Sequence, residues 1–148
     1  MNIAGNGHST SAEWNVFADP QAAAQVFDSG IQIYLVPLDA TNQVALTAQD
    51  TPQWRHGGQA ANSAADMYDM LLKSSASMGA WDLMTAAIML DPALCDFQPL
   101  HLDVITDAGD NQGQTLSRGP ADPNSQVCLH PHADAIRQTL AWVFSNSK

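Results

Sequence analysis

Asp19-Pro20-Gln21-Ala22-Ala23-Ala24-Gln25-Val26-Phe27-Asp28-Ser29-Gly30-Ile31-Gln32-Ile33-Tyr34-Leu35-Val36-Pro37 is the stretch on which the fold class turns. Asp19 is suited to cap a helix, and Pro20 fits its first turn, where no amide donor is needed. Ala22, Ala23, Val26 and Phe27 then form an apolar stripe that Gly30 ends. Ile31 to Val36 is short, apolar and rich in β-branched side chains, and Pro37 halts it, the pattern of a buried parallel strand. A helix running straight into such a strand is half of a βαβ unit.

Towards the amino terminus, the first eighteen residues are rich in Gly, Asn, Ser and Thr and read as a loop. Towards the carboxyl terminus, Thr41 to Gln49 suits one or two helical turns, and Pro52 and Gly57-Gly58 mark a break. A helix is predicted from Gln59 to Ser75, with Ala61, Ala65, Tyr68 and Leu72 on one face, followed by a loop from Ser74 to Gly79. Asp82 to Leu90 is helical and stops at Asp91-Pro92, because the residue before a proline disfavours helix. Leu100 to Thr106 alternates apolar and polar residues, as a strand with one wet face does. Asp107 to Asn124 is turn-rich, Gln126 to Leu129 is a short strand, and Pro131 could open a last helix containing Ile136, Leu140 and Phe144. This order predicts an α/β architecture: an open sheet with mainly parallel central strands flanked by helices. Such a small sheet leaves an edge that natural proteins cover or pair, so residues 1–148 are expected to be the carboxyl-terminal part of a larger domain.

The composition agrees with a folded chain. Of the 148 residues, 45% are hydrophobic and 14% charged, which suits one globular domain and excludes a disordered tail. The net charge of -10 repels phosphate backbones and anionic lipid, arguing against nucleic-acid and membrane partners. No apolar run has the length of a membrane span, and the amino terminus has no basic region followed by an apolar stretch, so a cytoplasmic location is expected. Cys95 and Cys128 lie far apart without metal-ligand spacing and read first as reduced, buried thiols, with a disulfide as the lesser alternative.

Two stretches could carry chemistry. Asn6, Glu13, Trp14 and Asn15 place amides, an indole and the only glutamate of the chain just before a helix, where α/β proteins hold ligands. Amides and a carboxylate together offer donors and acceptors in fixed directions, which suits a polyhydroxylated ligand such as a sugar. The plainer reading is a capped loop in which the asparagines satisfy turns and Glu13 is solvated. The second stretch, Trp81-Asp82, opens an apolar helix. Asp82 is either a simple cap or a metal or hydroxyl ligand with Trp81 as one wall of a cleft. One carboxylate cannot by itself hold a hard cation that takes about six to eight oxygens. His8, His56, His101, His130 and His132 form no metal set.

Taken in order, Ala12-Glu13-Trp14-Asn15-Val16-Phe17-Ala18-Asp19-Pro20-Gln21-Ala22-Ala23, Val36-Pro37-Leu38-Asp39-Ala40-Thr41 and Trp81-Asp82-Leu83 with Asp91-Pro92 resemble the carboxyl-terminal half of the inosine-uridine preferring nucleoside hydrolases. The resemblance implies a calcium-dependent enzyme that hydrolyses the N-glycosidic bond of ribonucleosides, with a place in nucleoside catabolism and purine salvage. By the same resemblance, Asn6 and Glu13 hold the ribose 5′-hydroxyl end and Asn15 another ribose hydroxyl. Asp82 would bind calcium together with the 2′- and 3′-hydroxyls. In that family a calcium-bound water attacks the anomeric carbon, and an aspartate of the amino-terminal half is the base. Family members that act on many nucleosides tend to carry His before the metal-binding Asp, where this chain has Trp81. The purine-preferring branch resembles it in using tryptophans there and between the Glu and the Asn, so Trp81 and Trp14 imply a purine base, unless both indoles are core packing.

The family's Asp-rich amino-terminal signature has no counterpart here, since Asp103, Asp107 and Asp110 follow no fully apolar strand and read as a solvated hairpin. Alone, the chain is therefore expected to be inactive, with a complementing amino-terminal half or a homo-oligomer, dimer or tetramer, as its partner. A rival reading is a non-catalytic nucleoside-binding remnant or an interaction module that pairs its sheet edge with a partner.

Overall fold

The computed structural model describes residues 2–3 and 12–148. They form seven strands: β1 (Asn2–Ile3), β2 (Tyr34–Leu35), β3 (Ala45–Leu46), β4 (Met78–Gly79), β5 (Cys95–Val104), β6 (Thr115–Gly119) and β7 (Ser125–Pro131). The helices are α1 (Trp14–Ala18), α2 (Pro20–Asp28), α3 (Leu38–Thr41), α4 (Thr51–Trp54), α5 (Gln59–Leu71), α6 (Trp81–Leu90) and α7 (Ala133–Asn146). The chain divides into two compact units, residues 1–40 with 96–130 and residues 41–95 with 131–148.

The first unit carries a five-stranded sheet in the order β1-β6-β5-β7-β2. The α/β class is the one expected, and the sheet is mixed: β2 runs parallel to β7, while β6 is antiparallel to both β5 and β1. Helix α2 starts as its sequence dictates, Pro20 in the first turn and Asp19 Oδ1 accepting the Ala22 N–H at 2.9 Å, and the chain leaves it through Gly30 at φ +74. Phe27 of α2 packs with Leu100, Leu102 and Val127 of the sheet. The buried six-residue strand expected over Ile31 to Val36 shortens to Tyr34–Leu35 at the sheet edge, with Ile31 and Tyr34 exposed, because among the described residues only β7 lies beside it. The turn-rich segment after Asp107 contains β6, which pairs with β5 from His101↔Gly119 to Val104↔Thr115. In that hairpin the Asp103 carboxylate pairs with Arg118.

The second unit packs four helices beside a small ribbon in which β3 and β4 pair antiparallel. Trp54 is its central indole, 1% exposed, with Tyr68 at 5.4 Å edge-on and Phe144 at 4.5 Å. Ala61, Ala65 and Tyr68 form the buried face of α5 at helical spacing, as read, though the helix stops at Leu71. Where one or two helical turns were expected over Thr41 to Gln49, and a loop up to Gly79, β3 and β4 form instead. The reading of reduced thiols is corrected as well, since Cys95 and Cys128 are disulfide-bonded. Cys95 opens β5 and Cys128 lies in β7, and these strands are neighbours in the sheet, which their distance in sequence conceals. Among the described residues, no helix is long and apolar enough to cross a membrane.

Candidate functional site

The carboxylate of Glu13 is placed by two chain segments that meet. Residues 14–18 are helical where a loop was expected, and Glu13 stands at the N-cap of that short helix with extended backbone, its carbonyl accepting the Phe17 N–H at 2.8 Å. Its side chain makes no cap; Oε2 accepts the Leu38 N–H at 3.1 Å, just after β2 and Pro37. Glu13 thus sits beyond the carboxyl end of the parallel strand β2, the position where open α/β sheets hold ligands. Partial burial pushes its carboxyl pKa up, the Leu38 N–H opposes that by favouring the charged form, and the charge of Asp39 adds to the rise. Glu13 is therefore not the solvated acid of the plainer reading.

Trp14 and Asn15 occupy the first turn of α1, and both are exposed. The helix can lie where it does because of Gly113. At φ +81, a β-carbon on Gly113 would stand 2.8 Å from the Phe17 Cα, so a side chain there would be both strained and in collision. Asn6, assigned by resemblance to the same end of the ribose, lies outside the described residues, as does His8.

Trp81 and Asp82 are in the second unit. Gly79 pairs with Ala45 across the ribbon, and the Ala80 N–H donates to the Val44 carbonyl at 3.0 Å. The chain then turns into α6 through Trp81 at φ +27, a left-handed conformation that bulky residues rarely adopt. The N-cap of α6 is Ala80 with no side-chain cap bond, so Asp82 is not the simple cap that its position suggested. It lies exposed in the first turn, where the helix dipole favours a negative group.

Neither candidate indole is core. Trp14 is 50% exposed and Trp81 39%, against 1% for Trp54. One residue near Asp82 was read only as helix core: Tyr68, whose hydroxyl reaches the Gly79 carbonyl at 3.5 Å. Burial, and then the charge of Asp82, push its pKa up. A tyrosine on the apolar face of a helix is the signal that could have pointed to it, since a buried phenol usually finds a polar partner. As a hard oxygen donor, Asp82 is the kind of ligand calcium takes. Among the described residues no group of three His, Cys, Asp or Glu could hold a metal ion.

Comparison with known proteins gives the family. The model of the inosine-uridine preferring nucleoside hydrolases matches residues 1–138. The non-specific ribonucleoside hydrolase RihC of Salmonella schwarzengrund is 35% identical over 153 aligned positions, covering 96% of this chain and 49% of that protein. Among solved structures, the purine-preferring ribonucleoside hydrolase from Gardnerella vaginalis superposes with a TM-score of 0.79 at 25% identity, covering 90% of this chain and 46% of that one. The inosine-uridine preferring nucleoside hydrolase of Bacillus anthracis does so at 0.79 and 28%, covering 96% and 47%. The chain belongs to the inosine-uridine preferring nucleoside hydrolase family. It spans about half the length of the relatives it matches.

Proposed function

We propose that this chain supplies the carboxyl-terminal half of a calcium-dependent ribonucleoside hydrolase that acts on purine ribonucleosides, releasing ribose and the free base. The observation that carries this reading is the family match over residues 1–138, which spans both the Glu13 and the Asp82 segments. In the reaction, the oxygen of water joins the ribose anomeric carbon as the bond to the base nitrogen breaks, and the water's proton ends on the departing base. Glu13, Asn15 and, by resemblance, Asn6 bind ribose hydroxyls. Those bonds do most for the rate if they strengthen as the sugar flattens towards an oxocarbenium-like state. Bound calcium would supply Lewis-acid activation of the attacking water, with Asp82 as one oxygen ligand. The exposed indoles of Trp81 and Trp14 support the purine preference, because a two-ring base covers more of an indole than a pyrimidine does.

The test assembles this chain with a polypeptide supplying the family's amino-terminal half and measures base release from inosine and uridine with calcium present. Release of hypoxanthine is expected, with inosine preferred over uridine. Asp82→Asn should lower kcat/KM at least about a hundredfold, as removal of a charge-stabilising group at a reacting centre does. Equal use of the two nucleosides would replace the purine reading with the non-specific range of the RihC relative. Binding of nucleoside without turnover would support a non-catalytic remnant.

A further inference from the structure

We infer that Gly79 is the positioning residue of the Trp81 indole, so that the bare backbone at position 79 helps set which base the site accepts. This rests on the reading of Trp81 as a wall of the base subsite. A β-carbon built on Gly79 would stand 2.6 Å from Trp81 Nε1, 2.9 Å from Cε2 and 3.1 Å from Cδ1. Carbon contacts are comfortable only at about 3.5 to 4.0 Å, so the five-membered edge of the indole lies directly on the Gly79 backbone.

Glycine is not needed at this place for its conformational freedom. Among the described residues the left-handed glycines are Gly30, Gly109, Gly113 and Gly119, and Gly79 is not one of them. What the missing side chain provides at position 79 is room, and the indole takes it.

The surroundings leave the backbone little freedom to yield. Gly79 is registered against Ala45, Ala80 is fully buried with its N–H on the Val44 carbonyl, and the Tyr68 hydroxyl reaches the Gly79 carbonyl. Trp81 itself is held at φ +27 at the start of α6. Of the two groups that would collide, the fixed one is the ribbon and the movable one is the ring, which is 39% exposed and has solvent to swing into. A methyl group at position 79 therefore displaces the indole and not the strand.

A double-mutant cycle reads this directly. Gly79→Ala is compared with the parent, and the same change is made in a Trp81→Ala background, with urea unfolding of the full chain as the first measurement. The urea midpoint is expected to fall on Gly79→Ala when Trp81 is present and to stay unchanged when it is absent. An equal fall in both backgrounds, or no fall in either, overturns the inference. The second measurement is base preference in the assembled enzyme. Gly79→Ala should raise KM for inosine roughly three- to tenfold relative to uridine, the size of a lost aromatic contact, with kcat less affected. If Trp81→Ala shifts base preference and Gly79→Ala does not, the specificity role of Gly79 is overturned. If Trp81→Ala itself leaves the preference unchanged, it is the purine reading of Trp81 that fails, while a coupled urea midpoint still upholds the placement of the ring by Gly79.

Discussion

Glu13 faces two opposed demands: burial disfavours its charge, and the Leu38 N–H favours it. Burial prevails, so its folded-state pKa lies above the ordinary value. Such a carboxyl binds its proton more readily in the folded chain than in the unfolded one. The stability this contributes is complete below the unfolded pKa and is lost as pH rises through the folded pKa. Glu13→Gln keeps an oxygen for the Leu38 N–H and removes the buried charge. Its stability relative to the parent is expected to increase as pH rises from the acid range to neutrality, checked by urea unfolding across that range; a difference independent of pH would contradict the assignment. The lone glutamate stood out among fourteen aspartates in the sequence, but its bond to Leu38, 25 residues away, did not. Exposure of an indole is not by itself a functional sign either, since Trp142 is 68% exposed with no role assigned to it. What sets Trp81 apart is its backbone at φ +27 and its contact with Gly79, and neither has a local sequence pattern.

At the scale of elements, those that carry their own signals were legible. Asp19, Pro20 and Gly30 bound α2 much as they predict, and Asp91-Pro92 ends α6. Removing the Asp19 cap bond to Ala22 leaves an N–H of the first turn without its partner, so Asp19→Ala should cost about 1 kcal/mol in urea unfolding. Retention of full stability would mean that solvent satisfies that N–H equally well. The elements that were missed are those made by pairing. β3 and β4 are two residues each, too short to show an alternation, and exist because Ala45↔Gly79 and Leu46↔Met78 meet. β6 is a polar stretch between glycine turns whose register comes from β5. Helix α1 sits in a segment whose polar composition reads as loop, with Gly113 giving it space.

For the whole molecule, the apolar fraction indicated a folded chain, but composition could not reveal that its cysteines are joined. A disulfide stabilises chiefly by restricting the unfolded chain, so reduction is expected to lower stability by about 2 to 4 kcal/mol. Urea unfolding with and without a reductant measures this, and identical midpoints would show that the bond contributes nothing. The parallel strand β2 ends the sheet with Ile31 and Tyr34 exposed, in a chain about half the length of its relatives. An open edge is expected of so small a sheet, but not at this strand: a short, apolar, β-branched run is suited to neighbours on both sides and reads as a central strand. By itself the sequence determined the α/β class, the bounds of the capped helices and the family, since these rest on periodicity, capping chemistry and the order of short motifs along the chain. Only the tertiary structure decided that Glu13 binds Leu38, that the sheet is mixed, that Trp81 lies on Gly79 and that the two cysteines are joined. Each of these is a contact between backbone or side-chain atoms brought together by folding, and no single segment encodes both partners.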